Sequence, residues 1–230
     1  MSKYLWCEDS KSGYQFWCAV MRELYPDINV ESKGSNTGLI RAVRRIESNE
    51  DQYYIIMDTA VDNPNVLRET MRLATVIAEK DNIHLIRLHS FEYGLLSFEL
   101  LEQWVFAEVD ELRDQRQELL NARALFIQMI TTSVEDSATL TAFKEMFGDY
   151  KNKNSEQIAA KLLYEITRNT GFETDKSKLG ECFVNPCCEW AARQNDDICG
   201  LDKRKINAKE KAILLMKRSA LKKAFQGAEL

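Results

Sequence analysis

Hydrophobic and polar positions along this 230-residue chain begin with a short apolar and aromatic run, KYLWC at residues 3–7, of the kind that fills a buried strand. After the polar turn EDSKSG, the segment YQFWCAVMREL places Phe16, Trp17, Val20, Met21 and Leu24 at helical spacing, and Pro26 closes it. INVES reads as a second strand, KGSNTG as a loop, and Leu39 to about Ile46 as a helix. YYIIMD is almost wholly apolar, the pattern of a central strand covered on both faces. The loop TAVDNPN leads to a long amphipathic helix from Val66 to Lys80, and IHLIRL is a fourth strand.

Strands separated by helical crossovers predict a mostly parallel four-stranded sheet flanked by helices, an α/β domain over residues 1–107. From Leu95 onward the spacing becomes helical. LLSFELLEQWVF, ELRDQRQELLNARALFIQMI, TLTAFKEMF and SEQIAAKLLYEITRNTG each repeat apolar residues at i, i+3 or i+4. The last of these carries a Ser cap and a Gly terminator. Residues 108–230 therefore read as a mainly α-helical region. With no linker at the boundary, it is expected to pack directly on the sheet. The chain contains no internal repeat and no low-complexity segment.

Ligands of such sheets bind at the carboxyl ends of the strands. The first strand ends in Glu8-Asp9, the third in Asp58, and the fourth in His89 followed by Glu92. Loop ends bearing Glu8, Asp58, Asp62 and Glu92 are close enough in the expected topology to converge. Converging carboxylates repel unless a hard cation neutralises them, so an all-oxygen cluster points to Mg²⁺ or Mn²⁺. Lys11, after Glu8, and Lys33, in the Gly-rich loop, are placed to contact phosphate. The competing reading is plain: single acids at strand ends are usually solvated surface.

Composition narrows the setting without deciding the chemistry. A hydrophobic share of 45% and a mean hydropathy of -0.38 are ordinary for a water-soluble protein. No apolar run approaches the ~20 residues of a membrane span. Acidic and polar residues interrupt the N-terminus before a secretory apolar segment forms, so a cytoplasmic protein with no membrane partner is expected. The net charge of -5 is unevenly spread. Residues 203–230 hold 9 Lys and Arg against 2 Asp and Glu, a basic tail on an acidic body. Its segment KEKAILLMKRSALKKAF reads as one amphipathic helix. Ile213, Leu214 and Leu221 would face the body, with Lys217, Arg218, Lys222 and Lys223 open to solvent or nucleic-acid phosphates.

The order strand–Glu–turn–helix, then an apolar strand ending in Asp, resembles the TOPRIM domain of topoisomerases, primases and OLD-family nucleases. Glu8 in YLWCEDSKSG and Asp58 in YYIIMDTAVDN match the family's metal-binding Glu and the first Asp of its Asp-x-Asp motif. ESKGSNTGLIRAV is similar to the Gly-containing segment between those motifs in OLD-like bacterial proteins. RLHSFEYGLLS resembles a later segment whose Glu serves as a further ligand, here Glu92. The resemblance covers residues 3–105. It implies a TOPRIM-like fold and a Mg²⁺- or Mn²⁺-dependent nuclease with Glu8 and Asp58 catalytic, in a phage-defence or mobile-element setting. Three positions depart from it. Ala60 stands where the second Asp belongs, leaving Asp62 as the substitute or the site degenerate. Asp9 replaces the family's Gly, and Ser12 an acidic residue.

Cys182, Cys187, Cys188 and Cys199 form the pattern C-x4-C-C-x10-C, and four clustered thiols suit a structural tetrahedral Zn²⁺. The spacing is not a paired C-x2-C knuckle, and the other reading makes them partly core residues. Cys7 and Cys18 read as buried thiols. Trp6, Trp17, Trp104 and Trp190 read as core, His84 as a half-buried strand residue, and His89 as a phosphate contact or acid. No nucleophile elbow, Walker A loop or dinucleotide fingerprint is present. Three functions follow: a metal-dependent nuclease, a catalytically degenerate nucleic-acid- or protein-binding module, or an α/β protein whose strand-end acids are incidental.

Overall fold

The structure is a computed structural model, described for residues 1–78, 80–107, 111–132, 137–188, 199–201 and 204–230. Strands β1 (Lys3–Cys7), β2 (Ile28–Ser32), β3 (Gln52–Asp58) and β4 (Ile83–Leu88) form one all-parallel sheet in the order β2-β1-β3-β4. Helices α1 (Ser12–Leu24), α2 (Asn36–Arg44) and α3 (Pro64–Ile77) are the crossovers. The chain leaves central β1 for β2 on one side and then returns to β3 on the other. Right-handed crossovers consequently put α1 on one face and α2 and α3 on the opposite face. The packing follows from strand alternation. Leu5 and Cys7 meet Phe16, Trp17 and Val20 of α1, whereas Trp6 meets Leu39 and Val43 of α2 and Leu73 of α3.

The second half of the chain continues the α1 side. Its helices are α4 (Phe91–Leu96), α5 (Leu101–Val105), α6 (Glu111–Gln115), α7 (Gln117–Thr132), α8 (Ser137–Met146), α9 (Ser155–Thr167), α10 (Glu181–Val184), α11 (Ala208–Lys217) and α12 (Leu221–Gln226). One continuous core runs from Leu5 of β1 to Phe225 of α12, crossing residue 107 without a break. Trp104, Phe126, Phe172 and Phe183 are fully buried within it. Two cations are buried too, and backbone carbonyls hold both. Arg116 donates to Ile166 O and Arg168 O at the end of α9. Lys211 donates to Cys182 O at 2.7 Å.

Several helices are shorter than the periodicity predicts. The basic tail is two helices, not one, broken around Ser219. That hydroxyl donates to Leu215 O and accepts from Leu221 N, while Ala220 N donates to Ser97 Oγ. The break turns the buried face of α11 to Lys211, Ala212, Leu215 and Met216, and leaves Ile213 and Leu214 half-buried. The run ELRDQRQELLNAR likewise divides at Arg116, whose guanidinium is drawn inward to α9. Trp6, Trp17 and Trp104 are core residues as expected, while Trp190 lies outside the described residues. His84 is half-buried, its Nε2 2.9 Å from Gln52 Oε1. Among the described residues no helix is long and apolar enough to cross a membrane.

Candidate functional site at the carboxyl ends of the strands

Register places the first two acids. Cys7 of β1 lies opposite Ile56 of β3, so Glu8, one step past β1, reaches the level where β3 ends at Asp58. Glu8 Oε1 accepts a hydrogen bond from the Asp58 backbone N–H at 3.2 Å. These strands flank the point where the chain switches direction across the sheet, the place where open α/β sheets bind ligands. Two acids 50 residues apart in sequence thus meet because the sheet order is 2-1-3-4.

Three more carboxyls gather around them, two of them at the starts of helices and one beside a third. Asp9 folds back over the first turn of α1, where its Oδ2 accepts from Trp17 Nε1 at 3.2 Å. Gly13 makes room for it, since a Cβ there would collide with the Asp9 carboxyl. Glu92 lies in the first turn of α4 behind its Ser90 cap, whose hydroxyl oxygen accepts from Tyr93 N. Glu156 lies in the first turn of α9, beyond the capping box made by Asn154 and Gln157. The partial positive charge of a helix N-terminus favours an acid there, which makes the crowding tolerable without removing it.

The electrostatics are those of one cluster. The Glu8 carboxyl is raised to about 8, chiefly by burial, with the Asp58 N–H opposing the rise and Asp9 and Glu156 adding to it. Asp58, only 8% exposed, is raised well above its ordinary value by burial, then by Glu8, Asp9, Glu156 and Glu92. Glu92 is raised to about 7 by burial, Asp9 and Glu156. Burial raises Asp9 and Glu156 as well, and Lys176 partly offsets the effect at Glu156. Each acid disfavours the ionisation of its neighbours, and Lys176 opposes this only at Glu156 among the acids described.

Asp62 takes a different part. Its Oδ2 accepts from Ser155 N at 2.7 Å and its Oδ1 from Ser155 Oγ at 2.6 Å. Both oxygens are committed to fastening the start of α9 to the loop after β3, and Asp62 flanks the cluster. Beside it His89 is held neutral, its pKa lowered to about 4 by burial against the opposing pull of Asp62. His89 Nε2 is buried and has no hydrogen-bond partner among the described residues. Among the described residues no three His, Cys, Asp or Glu side chains are arranged as a ready metal-ligand set.

Comparison with known proteins produced no matching family model, no matching curated protein and no matching solved structure.

The remaining candidates separate clearly. Lys11 is exposed in the loop between β1 and α1. Lys33 is tied down, 2.5 Å from Glu31 Oε2 and 3.9 Å from the Trp6 ring centre. Arg218 faces Glu99 at 4.0 Å. Lys217, Lys222 and Lys223 are exposed and border a cavity that also touches Asp62 and His89. Of the four clustered thiols, Cys182, Cys187 and Cys199 pack partly against the core and Cys188 is exposed. Burial pushes the Cys182 thiol up to about 11; Lys211 opposes this and Cys199, Cys188 and Cys187 add to it, so the four share one neighbourhood.

Asp9 and Glu156 are the members that sequence reasoning missed. Asp9 stood in plain view beside Glu8 but read as a departure from a Gly position. NSEQ marks a helix start around Glu156, yet nothing local says which end of the sheet that start faces.

Proposed function

We propose that this chain is a TOPRIM-like phosphodiester-processing protein, a nuclease acting on nucleic acid, that depends on Mg²⁺ or Mn²⁺. The observation that carries this reading is the contact of Glu8 with Asp58 at the switch point of the sheet, inside a cluster of buried and half-buried acids that raise one another's pKa. Its donors are all carboxyl oxygens, the chemistry hard cations select. Glu8, Asp58 and Glu92 would hold the ion only by turning their carboxylates onto a common point, since they are not arranged as a ready ligand set, with Asp9 and Glu156 supplying further negative charge nearby. A cation bound there would supply activation of water and neutralise charge developing on a phosphoryl group. Glu8 and Asp58 would orient the site, with neutral His89 buried beside Asp62. The resemblance of residues 3–105 supports the same reading and suggests a phage-defence or mobile-element role.

Incubating the purified chain with single-stranded and duplex DNA and with RNA tests the proposal. Cleavage should require Mg²⁺ or Mn²⁺, stop with chelator, and fall about 10²-fold or more in Glu8→Gln and in Asp58→Asn. Activity that survives both substitutions rules it out.

A second reading is a nucleic-acid- or protein-binding module without catalysis. Ala60 denies the site a second Asp, and Asp62, its nearest substitute, is engaged by Ser155. That reading expects salt-dependent binding with no metal requirement and no cleavage. For the cysteines we propose a structural Zn²⁺ held by Cys182, Cys187, Cys188 and Cys199, checked by metal analysis of the purified chain.

A further inference from the structure

A cavity of about 1160 Å³ runs from the carboxyl end of β4 to the two tail helices, bounded by the loop after β3, α7 and the start of α9. Its volume exceeds the several hundred Å³ usual for one small molecule. Its walls are of two kinds. Arg87, Lys217, Lys222 and Lys223 are among its lining residues; all four are exposed, and among the described residues none of them forms an ion pair. Val61, Ile127, Ile130 and Leu140 supply an apolar wall, with Val61 59% exposed. The carboxylates on the lining are Asp62, already engaged by Ser155, and Glu99. On a chain of net charge -5, four unpaired cations around one cavity are a local reversal of sign. His89 lines the same cavity, while its Nε2 is buried. Asp62 and Thr59 join the cavity to the Asp58 end of the carboxylate cluster.

We infer that this cavity binds an unpaired nucleic-acid strand, with phosphates on Arg87, Lys217, Lys222 and Lys223 and bases against the apolar wall. The chemistry selects the single-stranded form. Only an unpaired strand offers base faces to an apolar surface while its phosphates stay within reach of a cationic border; a duplex turns its bases inward. An acidic peptide would satisfy the cations and leave the apolar wall without a matching partner. The strand would enter the carboxylate cluster past Thr59 and Asp62. That path makes the strand a substrate only if the nuclease reading holds, whereas its binding does not depend on that reading.

Fluorescence anisotropy in chelator, with a labelled oligothymidylate, a hairpin duplex and thymidine monophosphate, decides the matter. The single strand should bind at least about tenfold tighter than the duplex, with log K falling against log salt at about -0.7 for each phosphate neutralised. Arg87→Glu and the pair K222E with K223E should each weaken the strand about tenfold or more and flatten that slope. Lys151→Glu, exposed and away from the cavity, should leave it unchanged, and circular dichroism should find all variants folded. Equal affinity for the duplex, wild-type binding by the folded groove variants, or displacement of the strand by polyglutamate would overturn the inference. So would monophosphate binding as tight as the strand. Strand binding without cleavage in Mg²⁺ or Mn²⁺ defeats the nuclease reading and leaves the groove standing; cleavage unaffected by the groove variants does the reverse.

Discussion

The carboxylate cluster and the cationic groove adjoin at Asp62 and His89, yet they hold charge in opposite ways. In the cluster, acids on strand ends and helix starts are half-buried and crowd one another, so the fold bears a cost that varies with pH. In the groove, the cations sit on long exposed stems, without ion-pair partners among the described residues, and cost the fold almost nothing. The difference teaches that charge buried without a counter-ion marks a site through stability, whereas exposed charge marks one only through what it attracts.

Asp62→Ala strikes where the two regions join. It removes the acceptor for both Ser155 N and Ser155 Oγ and loosens α9 from the loop after β3. Thermal or denaturant unfolding should register a loss on the order of 2–4 kcal/mol, because charge-assisted bonds to a buried hydroxyl and amide are lost together. A loss below 1 kcal/mol would mean that the two regions are not mechanically joined there.

Glu8→Gln sharpens the contrast in the other direction. The folded carboxyls of Glu8 (about 8) and Glu92 (about 7) lie above the unfolded glutamate value near 4.5. Between those limits the native state binds more protons than the unfolded state. Metal-free stability therefore declines as pH rises from about 4.5 to about 8 and levels off above. Replacing Glu8 by the uncharged amide should raise stability by on the order of 1–2 kcal/mol at pH 8.5 and flatten the pH profile. Saturating Mg²⁺ should raise the Tm of the wild type at pH 8.5 and have little effect at pH 5, where the acids are protonated. A Tm indifferent to Mg²⁺ at both pH values would leave the cluster without a cation.

The smallest effect belongs to the groove. Lys222→Ala and Lys223→Ala should each change stability by less than about 0.5 kcal/mol, as exposed unpaired cations do. A larger loss would show that the tail lysines support the fold after all.

Much of the frame was legible along the chain. The apolar runs KYLWC, INVES, YYIIMD and IHLIRL each became a strand, since short β-rich runs between amphipathic helices have few other ways to bury themselves. Glu8 and Asp58 were legible as a pair because strand-end positions in a parallel sheet are set by hydrophobic runs that the sequence displays. The tail's single helix was not legible as two. Its periodicity carries through Ser219, and what breaks it is the engagement of Ser97 and Glu99 with Ala220 and Arg218, about 120 residues away.

Local sequence determined the strand–helix rhythm, the acids at the strand ends and the basic bias of the last 28 residues, because periodicity, propensity and charge are properties of neighbours along the chain. Tertiary structure alone decided that Glu156 joins those acids, that Asp62 serves Ser155, and that the tail lysines and Arg87 face one cavity. Those placements depend on how α9, α11 and α12 dock on the α1 side of the sheet. Docking is governed by the shape of a shared core spanning the whole chain, which no short stretch of sequence contains.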